Sequence, residues 1–99
     1  MIQLKKSNRK GKKWMVIIPT NKKQKTVHFG AIGYEDYTMH KDKKRKEEYI
    51  QRHQTNEDWT KHGIWTAGFW SRWLLWNKTS IQKSVRDINK QFQLNVTYK

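Results

Sequence analysis

Residues 63–78, Gly63-Ile64-Trp65-Thr66-Ala67-Gly68-Phe69-Trp70-Ser71-Arg72-Trp73-Leu74-Leu75-Trp76-Asn77-Lys78, carry four of the six tryptophans of this 99-residue chain. At about 100° per residue, Trp65, Phe69, Trp70, Trp73, Leu74 and Trp76 fan across roughly half of a helix surface. The stretch therefore predicts a helix over residues 66–76, broken by Asn77-Lys78-Thr79. Leu75 and Arg72 fall on the far side. With Trp76 they form the candidate partner interface, because an apolar plate this large is either a core or a surface that needs covering.

The plate needs something to pack against, and both flanks supply it. Upstream, Ile2 and Leu4 alternate with Gln3 and Lys5, the pattern of a half-buried strand. Ser7-Asn8-Arg9-Lys10-Gly11 reads as a turn, and residues 5–13 have the only disorder-like composition in the chain. Trp14 to Ile18 is a continuous apolar run, which predicts a central strand covered on both faces. Val27 and Phe29 alternate with Thr26 and His28 in a third strand that stops at Gly30. Residues 2–30 are thus expected to form a small antiparallel β-meander.

Downstream of it the period becomes helical. A highly charged helix is expected over residues 38–53, with Met39, Tyr49, Ile50 and His53 as its few core contacts, lying across the surface. Ile81, Val85, Ile88 and Phe92, spaced by four, three and four, predict an amphipathic helix over residues 80–93. Leu94, Val96 and Tyr98 alternate with polar residues, so the tail is expected to return as an edge strand. The fold class is α+β, a meander packed against three helices in one domain spanning residues 1–99. The expected core is Trp14, Val16, Ile18, Phe29, Phe69, Trp70, Trp73, Leu74, Ile81, Val85, Ile88 and Phe92.

Lys and Arg number 22 against eight Asp and Glu, a net charge of +14. Such an excess costs stability through self-repulsion, and a polyanionic partner relieves it. Two clusters dominate. Lys5, Lys6, Arg9, Lys10, Lys12 and Lys13 surround the first turn, and Lys41, Lys43, Lys44, Arg45 and Lys46 open the charged helix. Lys outweighs Arg in them, which suits point-charge contact with phosphates rather than bidentate reading of bases. Lys22, Lys23 and Lys25 are consistent with an ordinary soluble surface. Trp14 and Tyr34 could stack unpaired bases, although both are assigned more readily to the core, and Arg72 could lie on a tryptophan face.

Chemistry of other kinds finds no pattern. The four histidines form no metal-ligand spacing, cysteine is absent, no phosphate loop occurs, and the adjacent carboxylates Glu47-Glu48 and Glu57-Asp58 point apart. The expectation is a non-enzyme with no cofactor, no metal and no small-molecule substrate. No apolar run approaches the ~20 residues of a membrane span, and the N-terminus lacks a signal core, so the chain reads as soluble and intracellular.

One resemblance is specific. Val27-His28-Phe29-Gly30, the segment Tyr34 to Asp42 (YEDYTMHKD), the Arg45–His53 segment with Tyr49 and Arg52, and the Thr66-Ala67-Gly68-Phe69-Trp70 block ending in Trp76-Asn77-Lys78 together resemble an uncharacterised protein family of large and giant DNA viruses. The likeness runs over about residues 26–95 and is weaker over residues 1–20. It implies a viral origin and no particular activity. Two functional expectations follow. The first is a non-enzymatic structural component of a large DNA virus particle, a minor capsid or inner-shell protein. The second is a sequence-independent nucleic-acid-binding protein that packages the genome. Capsid proteins or nucleic acid would be the partners within a larger assembly. The virion, and the viral factory in the host cytoplasm, would be the locations.

Overall fold

The structure, a computed structural model, describes residues 1–98. Its first third is the expected meander. Strands β1 (Ile2–Lys6), β2 (Lys12–Ile18) and β3 (Lys25–Ala31) pair antiparallel, with Leu4 opposite Val16 and Val16 opposite Val27. Alternation sends Ile2, Leu4, Val16, Ile18, Val27 and Phe29 to the buried face, where Val16 and Phe29 are fully enclosed. On the other face Gln3, Lys5 and Thr26 are exposed, and Met15, Ile17 and His28 half-buried. The run from Trp14 to Ile18 is therefore covered on one face only. A sheet with helices on one side needs only every second residue to be apolar.

The tail does return as a strand. β4 (Val96–Tyr98) lies beside β1 in the order β3-β2-β1-β4, with Ile2 opposite Val96. It runs parallel to β1, so the sheet is mixed rather than wholly antiparallel. A helix crosses between them, as parallel pairing requires.

The charged helix over 38–53 is two helices. α1 (Tyr37–His40) ends at Lys41, whose φ of 57° is left-handed, and α2 (Lys43–His53) starts afresh. Asp42 accepts from the Lys44 N–H at 2.9 Å and from the Arg45 N–H at 3.4 Å. That N-cap begins the second helix. Tyr49 is the one α2 side chain fully buried; Ile50 and His53 are half-buried and Met39 is exposed.

The tryptophan-rich stretch departs most from a uniform helix. A 3₁₀ turn (Lys61–Trp65) leads into α3 (Ala67–Trp70), and a π-helical turn (Ser71–Leu75) follows without a break. The Trp76 N–H donates to the Ser71 carbonyl at 3.1 Å, one residue further back than an α-helix allows. The wider turn takes in one extra residue and displaces everything after it by about 100°. Leu75 accordingly swings into the core, 2 % exposed, against Gly30. It is not a partner-facing residue. Trp65, held in the 3₁₀ turn, is left 43 % exposed.

α4 (Ile81–Phe92) follows its sequence signal. The Ser80 hydroxyl caps it by accepting from the Lys83 N–H at 3.2 Å, and Gln93 at φ 54° closes it. Phe69, Trp70, Leu74 and Ile88 are fully buried and join Ile81 and Val85 against the sheet. Trp14, Trp73 and Phe92, expected within the core, pack on its margin half-buried. Trp73 and Phe92 meet edge-on at 5.3 Å, as Trp14 meets Tyr98 at 5.6 Å. The result is an α+β domain whose radius of gyration, 12.9 Å, is what a folded chain of this length has.

Candidate polyanion-binding surface

Residues 1–34 contain nine basic side chains (Lys5, Lys6, Arg9, Lys10, Lys12, Lys13, Lys22, Lys23 and Lys25) and no carboxylate. All three strands of the meander thus share one sign of charge. Among the described residues, Lys13 is the only one of the nine with a carboxylate inside ion-pair distance, Asp36 at 2.8 Å. Its Nζ also donates to the Tyr34 carbonyl.

The hairpin tip that carries the first cluster is ordered rather than loose. β1 extends through Lys6 and β2 resumes at Lys12, leaving a five-residue turn organised by Ser7. The Ser7 N–H donates to the Lys13 carbonyl at 3.1 Å, and its hydroxyl accepts from the Arg9 N–H at 3.0 Å. The same hydroxyl lies 2.8 Å from His28 Nδ1 on β3. Desolvation, followed by the positive charges of Arg9 and Lys12, holds the His28 imidazole below its ordinary pKa.

The second cluster is split by its surroundings. Lys41, Lys43 and Lys44 are exposed. Arg45 pairs with Glu35 at 3.0 Å on the surface. Lys46 is drawn inward, donating to the Asn77 carbonyl at 2.7 Å with its ammonium 5.0 Å from the Tyr37 ring centre. Burial, then the neighbouring charges of Arg72, Lys78 and Lys43, lowers its pKa. Lys46 ties α2 to the body and is withdrawn from any ligand.

Glu35 and Asp36 are adjacent, so the two ion pairs bring the tip end of the hairpin and the start of α2 to one place. Of the eleven cations singled out from the sequence, Lys13 and Arg45 alone have a carboxylate partner among the described residues; Lys46 is held by a carbonyl, and Lys5, Lys6, Arg9, Lys10, Lys12, Lys41, Lys43 and Lys44 remain without a carboxylate. Lys22, Lys23 and Lys25 cluster at the β2–β3 turn, the opposite end of the meander, and extend the positive surface along its length.

The remaining partner-interface candidates face inward. The Arg72 guanidinium lies 4.2 Å from the Trp73 ring centre and 5.5 Å from that of Trp59, and donates to the Trp76 carbonyl at 2.7 Å. Desolvation lowers its pKa. Trp76 stacks on Tyr49 at 4.5 Å with 3° between the planes. This stack fastens α2 onto the tryptophan segment, and burial followed by the Glu57 charge pushes the Tyr49 hydroxyl pKa up. The clamping of the hairpin by Asp36 escaped the sequence reading, and Tyr34, weighed there as a base-stacking residue but assigned more readily to the core, is 74 % exposed. Spacing gives no sign of either, since both sit in an irregular connection.

Among the described residues no group of three or more His, Cys, Asp or Glu side chains could hold a metal ion, and no helix is long and apolar enough to cross a membrane. Fold and surface together define a small α+β protein whose β-meander is purely cationic. The chain belongs to a family of unknown function, DUF5754, which matches residues 2–53. That span covers the meander and both charged helices, including the N-terminal part where the resemblance was weaker, and stops short of the tryptophan block. No curated protein and no solved structure matches the chain.

Proposed function

We propose that this protein is a non-enzymatic binder of nucleic acid that contacts the phosphate backbone without reading sequence, through the β1–β2 hairpin tip and the start of α2. The observation that carries this reading is the absence of any carboxylate from residues 1–34 against nine Lys and Arg. A merely solubilising surface mixes both signs, whereas a surface of one sign raises the local concentration of an opposite polyion and releases its counterions on contact. The burial of Leu75 and the stacking of Trp76 favour this reading over a coat protein that docks through its aromatic plate.

The test is a salt titration of binding to a labelled duplex. Affinity should fall linearly in log–log form with a slope of several units, about 0.9 per phosphate contacted. Failure to bind duplex and single strand alike at about 100 mM salt would end the proposal. The resemblance to proteins of large DNA viruses supports an extension of this reading, in which the binder accompanies a packaged genome. Fixed stoichiometry in purified particles, measured by mass spectrometry, is the expected outcome of that extension, and absence from them would remove it.

A further inference from the structure

We infer that Tyr34 is a stacking platform for an unpaired base, so that the site prefers single-stranded nucleic acid to duplex. The inference rests on the polyanion reading above and adds a ligand class to it. Tyr34 is 74 % exposed, an unusual position for a ring that hydrophobicity alone would bury. It does not hang from a loose loop. The Tyr34 N–H donates to the Ala31 carbonyl at 3.3 Å, its carbonyl accepts from Lys13, and the Ile32 N–H donates to the Gly11 carbonyl at 2.9 Å. These bonds lock the turn against the tip of the cationic hairpin. Gly33, at φ +94°, makes the sharp bend that turns the chain there.

The surroundings select the occupant. With Lys12, Arg45 and Trp76, Tyr34 lines a groove of about 530 Å³ between the end of the sheet and α2, a volume that holds a small ligand. Glu35, Asp36 and Glu57 line it too, each already engaged by a basic side chain, Arg45, Lys13 and His53 respectively. Lys12 and Lys13 line the same groove on the hairpin side, and Lys12 has no carboxylate partner among the described residues. An aromatic face sharing a groove with an unpaired lysine is an arrangement suited to single strands, a phosphate on the cation and a base on the ring. A duplex hides its base faces within the stack and can use only the cations. An apolar protein segment would have to bury Lys12 unpaired, at a desolvation cost. Sequence-tolerant stacking also keeps the contact independent of base identity.

Fluorescence anisotropy with a labelled oligo-dT strand and a duplex of equal length, both at about 100 mM salt, separates the possibilities. The intact protein should bind the single strand more tightly. Tyr34→Ala should weaken single-strand binding roughly five- to tenfold and leave both duplex affinity and melting temperature unchanged, while Tyr34→Phe keeps single-strand affinity. Equal binding of both nucleic acids, or a Tyr34→Ala effect shared by both, would overturn the stacking role and leave the polyanion reading standing. Binding of neither would overturn the polyanion reading itself.

Discussion

Lys13 on β2 and Asp36 at the start of α1, 23 positions apart in the chain, meet in a 2.8 Å ion pair that leaves Asp36 only 3 % exposed. The same carboxylate accepts from the Thr38 N–H at 3.0 Å and the Thr38 hydroxyl at 2.5 Å. One side chain thus caps a helix and pairs with one lysine of the hairpin. Asp36→Ala removes the cap and leaves a half-buried ammonium without its partner, and should cost about 3 kcal/mol. Lys13→Ala should cost less, since the cap survives. Urea unfolding followed by tryptophan fluorescence measures both, and an equal cost for the two would show that the cap contributes nothing.

Charge reversal at the tip has the opposite profile. Lys10→Glu combined with Lys12→Glu should reduce polyanion affinity and lower the magnitude of the log–log salt slope by about two. Neither side chain supports the core, so the melting temperature should stay within a few degrees of the parent. A slope that does not change places the contact elsewhere on the protein.

The π-helical turn makes a claim about Leu75 that a uniform helix would not. Leu75→Ala should cost about 3 kcal/mol, as truncation of a buried leucine does. Trp73→Ala should cost a similar amount through its contacts with Phe92 and Arg72 and its 2.9 Å hydrogen bond to the Trp59 carbonyl. Calorimetry on the two variants reads this directly. An unperturbed Leu75→Ala would return that residue to the surface.

Gly63 is required for space. A Cβ there would lie 1.9 Å from the Asp58 carbonyl oxygen, which is backbone and cannot move aside cheaply. Gly63→Ala should therefore cost about 2 kcal/mol or more. Gly11→Ala meets nothing within 4 Å and bears only the strain of its φ of +84°, about 1 kcal/mol. Thermal melts of the pair should keep that order.

His28 links pH to both stability and binding. Its folded pKa is depressed, so its contribution to stability is present above the ordinary imidazole value of about 6.5 and is lost as pH falls through the folded value. Phosphates seated on Arg9 and Lys12 would remove part of the cause of that depression. The pKa of His28, followed by NMR of its ring protons, should rise when nucleic acid is added, and binding should tighten as pH falls toward 6. His28→Gln should abolish that tightening. A His28 pKa indifferent to ligand would mean that the hairpin tip is not the contact.

Elements whose residues face a single environment were legible in the sequence. Period-two alternation marked β1 and β3, and the 4-3-4 spacing of Ile81, Val85, Ile88 and Phe92 marked α4, because burial imposes those periods directly. Features set by backbone hydrogen bonding were not. The π-helical turn at Ser71–Leu75 changes which residues face inward without changing composition, so a wheel drawn at 100° misplaced Leu75. The interruption at Lys41 depends on a left-handed residue followed by a capping Asp42, and lysine carries no preference that announces it. The candidate surface was half legible. Charge clusters showed where cations gather, but only tertiary contacts separate Lys12, half-buried without a carboxylate partner among the described residues, from Lys13, held by Asp36, and from Lys46, held by the Asn77 carbonyl.

The parallel pairing of Ile2 with Val96 sets an order on biogenesis. β1 leaves the ribosome before β2, and their hairpin can form at once, yet the outer edge of β1 stays open until Val96–Tyr98, about ninety residues after β1, have emerged. An open edge invites pairing with other chains. Lys5 and Lys6, at the end of that strand, place like charges where two such nascent edges would meet. The residues assigned above to ligand binding would then serve earlier as gatekeepers against premature association.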